Sequence, residues 1–186
     1  EAERAYPKTV DLARRMGELG YRTWGVGKFH TVPPHEDTGF QERRISEELY
    51  ETPELREKDD YAAFLAREHP AFAHIEQPHG ERTEMYYVPQ ACPLPAEATV
   101  EAWAADRAIE FLDPARDDGR PFFGFVSFIG PHPPLAPPVP YNRLYDPDKM
   151  RNPRRGDPDA DHADEQIPWM NHLIWADGLN DFAART

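Results

Sequence analysis

The chain has 186 residues, enough for one domain with a hydrophobic core, and its net charge is −13 from 34 acidic and 21 basic residues. This acidic balance argues against nucleic acid or an anionic membrane surface as a partner, since both attract basic surfaces. A small anionic ligand remains compatible with this net charge, because a few convergent cations outweigh the mean charge locally.

The first predicted unit is a helix, a tight turn and a strand. Apolar residues recur at three- and four-residue steps over residues 8–19 and predict an amphipathic helix that ends at Gly20. Residues 21–26 are aromatic and β-branched, which predicts a strand. This connection is typical of a parallel α/β sheet, whose chemistry lies beyond the carboxyl ends of the strands. Lys28 and His30 fall at that position.

The middle of the chain shows less regular patterning. Residues 31–61 are charged and predicted to be loop-rich, a short helix is predicted over residues 60–68, and residues 70–95 are predicted to be irregular. The stretch His-Glu-Asp at residues 35–37 has the composition of a metal cluster. Adjacent residues seldom face one ion, so a solvated loop is the favoured interpretation.

A second helix-to-strand unit repeats the design of the first. Residues 97–112 have an apolar face that predicts a helix. Residues 122–129 are a nearly continuous apolar run, which is typical of a strand buried on both faces. His132 follows this strand between two prolines, which restrict the backbone and remove two N–H donors. A polar turn is predicted over residues 141–148.

The end of the chain is predicted to be loop-rich. Residues 151–165 have no core-forming pattern, and residues 167–175 have the apolar spacing of one helix. The acidic run at residues 157–161 lacks the glycine and closing glutamate of a calcium loop, so calcium binding is not expected there. Cys92 is the one cysteine; it is predicted to be a structural thiol, and it leaves the compartment undetermined. No apolar run has transmembrane length, so membrane insertion is not expected.

Lys28, His30 and His132 are the candidate site residues. A lysine is a point cation for sulfate or phosphate oxygens, and an imidazole donates to an oxyanion or moves a proton near neutral pH. Lys28 and His30 are two residues apart, which in a strand places both side chains on one face. We expect the three to converge on a tetrahedral anion. The alternative is a solvated lysine and two ordinary loop histidines.

Two segments resemble signatures of the sulfatase family, within the alkaline phosphatase superfamily. They are Gly20-Tyr21-Arg22-Thr23 with Gly27-Lys28-Phe29-His30, and the stretch from Pro121-Phe122-Phe123 to Gly130-Pro131-His132-Pro133-Pro134. The likeness runs over most of residues 7–150 and is weak over residues 151–186. It implies an alkaline-phosphatase-like α/β fold with a mostly parallel sheet flanked by helices, incomplete at both ends. It also implies that residues 1–186 are the central part of one catalytic domain.

The resemblance implies hydrolysis of a small anionic sulfate ester, or of a phosphate or phosphonate ester. In that family the nucleophile is a formylglycine hydrate made from Cys or Ser, and a divalent metal, usually calcium, holds the ester oxygens. The positions matching Lys28 and His132 bind the ester group, Lys28 also contacts the nucleophile, and His132 assists the leaving group. The position matching His30 hydrogen-bonds the formylglycine.

The family's nucleophile motif and metal ligands do not occur in residues 1–186. Cys92 begins Cys-Pro-Leu-Pro-Ala, which lacks the arginine and the correctly placed proline of the nucleophile motif, so it is rejected. Both features are therefore expected outside this stretch, and the isolated chain is expected to be inactive. A catalytically inactive piece or a binding module is the remaining alternative. The oligomeric state is left open.

Overall fold

The computed structural model describes residues 11–31, 35–47, 53–73, 91–132 and 135–152. The chain divides into two compact units: one comprises Glu1–His79 and Glu97–Gly130, the other Gly80–Ala96 and Pro131–Thr186. The α-helices and strands of the described residues all lie in the first unit. That residues 1–186 form part of a single catalytic domain stays a prediction.

The regular elements follow the order helix, strand, strand, three helices, strand. The bounds are α1 Leu12–Glu18, β1 Arg22–Gly27, β2 Glu42–Ile45, α2 Pro53–Glu57, α3 Asp60–Glu68, α4 Val100–Phe111 and β3 Phe122–Ser127. The helices predicted over residues 60–68 and 97–112 are confirmed, and the described part of the one over residues 8–19 is α1. The strands predicted over residues 21–26 and 122–129 correspond to β1 and β3.

The three strands form one parallel sheet in the order β2-β1-β3. Trp24 of β1 is level with Glu42 of β2 on one side and with Gly124 of β3 on the other. A parallel sheet with flanking helices confirms the predicted α/β class. All three carboxyl ends point toward the same edge of the sheet, which is where ligands bind in such folds.

α4 covers one face of β1. Its start is fixed by Thr99, whose hydroxyl accepts a hydrogen bond from the Ala102 amide at 3.3 Å, a typical N-cap. Its buried face includes Trp103 and Phe111. The Phe111 ring stacks on Trp24 of β1 with a centroid distance of 4.9 Å. This stack places a buried aromatic pair directly against the central strand.

β2 lies within the stretch that was predicted to be loop-rich, so that prediction was wrong there. Its sequence is Glu-Arg-Arg-Ile, and only Ile45 is buried. A four-residue charged segment carries no apolar alternation, so nothing in its composition indicates a strand. It is a strand because it pairs with β1 and because the Ile45 amide donates to the Asp60 carboxylate at the start of α3, at 2.7 Å.

β3 contradicts the prediction of a strand buried on both faces. None of its six residues is buried, and Phe122 is 51% exposed. In the described sheet β3 is an edge strand that pairs with β1 alone. The apolar side chains of β3 therefore form a surface that the described residues leave partly exposed.

Several predictions fall outside the described residues. They are the helix over residues 167–175, the acidic run at residues 157–161 and most of the irregular stretch over residues 70–95. The polar turn at residues 141–148 is described and contains the 3₁₀ helix Tyr141–Arg143 and the start of a second, Pro147–Lys149. Among the helices that can be described, none has both the length and the apolar character needed to cross a membrane.

Candidate functional site

β1 ends at a glycine that no other residue could replace without moving β3. Gly27 has a φ of +98°, and a Cβ atom at this position would lie 1.9 Å from the backbone oxygen of Ser127. The backbone of β3 therefore occupies the space that a side chain at position 27 would need. The amide of Lys28, the next residue, donates to that same Ser127 oxygen at 3.3 Å.

Lys28 and His30 lie just beyond the carboxyl end of β1, as the sequence predicts. Strand alternation does not place Lys28 and His30 on one face, as had been predicted, because β1 ends at Gly27. His30 adopts a φ of +54°, in the left-handed region, so the chain turns sharply here. Lys28 is half-buried and His30 is exposed.

Phe29, between these two residues, is fixed by an aromatic cluster. Its ring lies 5.7 Å from the ring of Phe40 and 5.4 Å from that of Phe125, measured between centroids. The ring also covers Gly25, where a Cβ atom would come within 2.6 Å of it. The guanidinium carbon of Arg43 lies 5.6 Å from the ring centroid. Lys28 and His30 therefore flank a side chain that packs against the sheet.

Glu47 is a site residue that sequence reasoning missed. It is buried, with 7% relative exposure, and lies two residues after β2. Its carboxylate accepts hydrogen bonds from the Phe29 amide at 3.1 Å and from the His30 amide at 3.0 and 3.2 Å. No pattern in the sequence indicates this role, because β2 itself has no strand pattern and the contact joins residues 17 and 18 positions apart.

His132 belongs to the second compact unit and is exposed. It follows β3, whose last residue is Ser127, so its place beyond a strand end is as predicted along the chain. The preceding Gly130 belongs to the first unit, and its amide donates to Glu101 at 3.1 Å. The convergence of His132 with Lys28 and His30 stays a prediction.

The His-Glu-Asp stretch at residues 35–37 is a partly exposed loop tied to α1. Asp37 forms an ion pair with Arg14 at 2.8 Å and accepts the Gly39 amide at 2.8 Å. The hydrogen bond from Arg14, with that from Gly39, lowers the pKa of the Asp37 carboxyl. These contacts fit the loop interpretation, since the Asp37 carboxylate already binds Arg14 of the helix and the Gly39 amide of the loop.

Within the described ranges, no group of three or more His, Cys, Asp or Glu side chains is arranged to hold a metal ion. The described side-chain donors therefore do not fit a divalent metal by themselves. Cys92 is half-buried, and its amide donates to the Pro137 carbonyl at 3.2 Å within the second unit. The location of the metal ligands and of the nucleophile outside this chain stays a prediction.

The sequence of residues 5–174 matches the sulfatase family model. The chain belongs to the sulfatase family. The match includes β1 with its lysine and histidine, the sheet, and β3 with the following His132. This confirms the family resemblance carried by the two strand-end segments.

Two curated proteins and one solved structure show how this sulfatase-family chain relates to its neighbours. It is 33% identical over 98 residues to the multifunctional alkaline phosphatase superfamily protein PehA of Trinickia caryophylli, covering 52% of this chain and 18% of that protein. It is 24% identical over 163 residues to an arylsulfatase of Clostridium perfringens (strain 13 / Type A), covering 78% of this chain and 32% of that protein.

The similar structure is that of a phosphonate monoester hydrolase of Agrobacterium radiobacter. It matches with a TM-score of 0.51 and 26% identity over 75% of this chain and 29% of the hydrolase. The likeness supports the α/β fold of the described elements. The chain spans less than a third of the length of each of these three proteins.

Proposed function

We propose that the protein containing this chain hydrolyses sulfate esters, with Lys28, His30 and His132 acting on the ester group. The observation that carries the proposal is the turn after β1, where a half-buried lysine and a histidine are presented at the carboxyl edge of a parallel sheet in a sulfatase-family chain. The similarity to an arylsulfatase over 78% of this chain supports the sulfate ester as substrate class.

The proposed chemistry of the chain's own residues is electrostatic and acid–base. The ammonium of Lys28 is a fixed cation that stabilises negative charge on the transferring group, and it does so best where water is partly excluded. The imidazole of His132 binds the ester group and donates a proton toward the leaving oxygen. The imidazole of His30 donates a ring N–H hydrogen bond to the nucleophile.

Family membership implies a formylglycine nucleophile and a divalent metal, expected to be calcium, and we place both outside this chain. When present, they would supply the attacking oxygen and hold the ester oxygens. If the protein lacks them, the chain is an inactive piece or a binding module. A test for esterase activity must therefore use the whole protein that carries this chain.

Phosphonate or phosphate monoesters are the second candidate substrates. The specific observation in their favour is the fold likeness to a phosphonate monoester hydrolase, at 26% identity. Lys28 and the two histidines recognise a tetrahedral anion by its charge and oxygens, which sulfuryl and phosphoryl groups share. A comparison of aryl sulfate, phosphate monoester and phosphonate monoester hydrolysis at equal concentration separates the candidates.

The deciding experiment removes the cation. We expect Lys28→Ala to lower kcat for the preferred ester by roughly 10²- to 10³-fold, the usual effect of losing one preorganised charge stabiliser. Lys149→Ala is the matched control, because Lys149 is a surface lysine whose side chain is 79% exposed and pairs with Asp146. An unchanged rate in both Lys28→Ala and His132→Ala would refute the proposed site.

The same variants test whether Lys28 and His132 act on the same ester group. If Lys28 and His132 act together on one ester group, their effects on transition-state stabilisation are not independent. The double variant should then lose less activity than the product of the two single losses. Strictly multiplicative losses would indicate that the two residues act at separate places.

A further inference from the structure

The backbone of the segment that carries Lys28 and His30 is hydrogen-bonded to one buried carboxylate, that of Glu47. The Glu47 carboxylate accepts hydrogen bonds from two backbone amides of the turn, those of Phe29 and His30, at 3.0–3.2 Å. Hydrogen bonds to a carboxylate are stronger than those between neutral groups, and this one is shielded from solvent because Glu47 is 7% exposed. The candidate side chains are thus attached to a turn whose backbone is fixed.

The turn needs such an anchor because it is not an intrinsically favoured conformation. His30 lies at φ +54°, where a residue with a Cβ atom is uncommon and persists only if its surroundings impose it. The packing of the Phe29 ring fixes the middle of the turn, and the Glu47 carboxylate fixes the amides on either side of the Phe29 α-carbon. Together they define where the flanking Lys28 and His30 side chains begin.

Glu47 is itself held by the start of α3. Its amide donates to the Asp59 carboxylate at 2.9 Å, and Asp59, which is 1% exposed, also caps α3 by accepting the Ala62 amide at 2.9 Å. One residue earlier, the Ser46 amide donates to the carbonyl of Gly27 at 3.1 Å. The end of β1, the end of β2 and the start of α3 therefore form one hydrogen-bonded support.

We propose that Glu47 is a positioning residue: its carboxylate fixes the turn at residues 28–30 so that Lys28 and His30 are preorganised toward a tetrahedral anion. The proposal rests on the proposed function, because it assigns to Glu47 an effect on catalysis that is exerted through Lys28 and His30. Misplacement of a catalytic group by about 1 Å can cost on the order of 100-fold in rate. Loss of the anchor should therefore be visible in kcat.

The test compares Glu47→Gln with Glu47→Asp and Thr99→Ala in the whole protein. Glu47→Gln keeps the size and one acceptor oxygen but turns an amide group toward the His30 N–H; we expect kcat to fall about 10- to 100-fold with little change in KM. Glu47→Asp keeps the charge and should recover part of that loss. Thr99→Ala removes a buried N-cap on α4 and should leave kcat of the folded protein unchanged.

Two further readouts distinguish positioning from general destabilisation. In the Lys28→Ala background, Glu47→Gln should cost much less than in the wild type, because Lys28 is one of the groups through which it acts. Amide hydrogen exchange at Phe29 and His30 should accelerate in Glu47→Gln and not in Thr99→Ala. A full additional loss in the double variant, or exchange that stays unchanged at these amides, overturns the proposal.

The failure of this proposal can be told apart from failure of the proposed function. If the wild type hydrolyses the esters and Glu47→Gln has the same kcat, the positioning role is wrong and the function stands. If the wild type hydrolyses none of the three ester classes, the function and the catalytic effect of Glu47 both fail. The exchange measurement then decides by itself whether Glu47 holds the turn.

Discussion

β1 and β3 are two six-residue strands that lie side by side in parallel register, but their surroundings are opposite. Every residue of β1 from Thr23 to Gly27 is buried, whereas no residue of β3 is. β1 lies between two partners, and within the described sheet β3 has one. The comparison shows that an apolar run does not by itself determine burial, because position in the sheet decides how many sides are covered.

The segments after the two strands are held by different described contacts. The turn after β1 is fixed by the Glu47 carboxylate, by the Phe29 ring and by the close approach of Gly27 to Ser127. After β3, the described contacts include one from the Gly130 amide to Glu101, a residue exposed on the surface of α4. The candidate residues beyond β1 are therefore attached to a backbone that a buried carboxylate, an aromatic ring and a close strand contact hold in place.

The largest expected effect compares the aromatic residues of the two strands. Trp24 is 2% exposed, so Trp24→Ala should lower the free energy of unfolding by about 3–5 kcal/mol. Phe122 is 51% exposed, and Phe122→Ala should cost roughly 1 kcal/mol. Urea unfolding of both variants checks the difference. Equal costs would show that parts of the protein beyond the described residues cover β3.

The second prediction concerns the point where the strands meet. Gly27→Ala should cost roughly 3 kcal/mol or more, since the new Cβ atom requires β1 and β3 to separate and a positive φ strains alanine. Gly119→Ala is the matched control: its φ is +78°, and no atom lies within 4 Å of the added Cβ position. Unfolding midpoints that shift equally in the two variants would contradict the close approach.

The third prediction concerns the helix that covers β1 but leaves β3 exposed. Thr99→Ala removes the hydroxyl that caps α4 and should lower the free energy of unfolding by about 1 kcal/mol. Thr99→Ser keeps a hydroxyl and should retain most of the stability. Thermal unfolding measures both, and a Ser variant as unstable as the Ala variant would show that packing of the threonine methyl group matters more than the cap.

The smallest expected effect is in the loop that precedes β2. Asp37→Asn removes an exposed ion pair with Arg14, and exposed pairs contribute little. The pKa of Asp37 is lowered below its ordinary value of 3.8, so the pair stabilises the fold fully above that value. The wild type should lose this advantage over Asp37→Asn as pH falls from about 4 through the lowered pKa. A difference that grows on acidification would contradict this sign.

The sequence predicted the two helix-to-strand units, the α/β class and the family from local information. Helical spacing, a β-branched and aromatic run and the Gly27-Lys28-Phe29-His30 signature are all contained within short stretches. It did not predict β2, because a charged four-residue strand has no apolar alternation to recognise. Strand alternation was expected to arrange Lys28 and His30. Their arrangement results instead from a turn in which His30 has a left-handed conformation.

What the sequence determined by itself is which residues stand at the ends of the apolar strands, because hydrophobic periodicity and glycine placement act within a few residues. The tertiary structure decided which strand is central, which is an edge, and which carboxylate supports the turn. These depend on pairing between segments far apart in the chain: β1 with β3 across about a hundred residues, and Glu47 with the His30 amide across 17. Such contacts form only when the sheet assembles, and no local pattern encodes them.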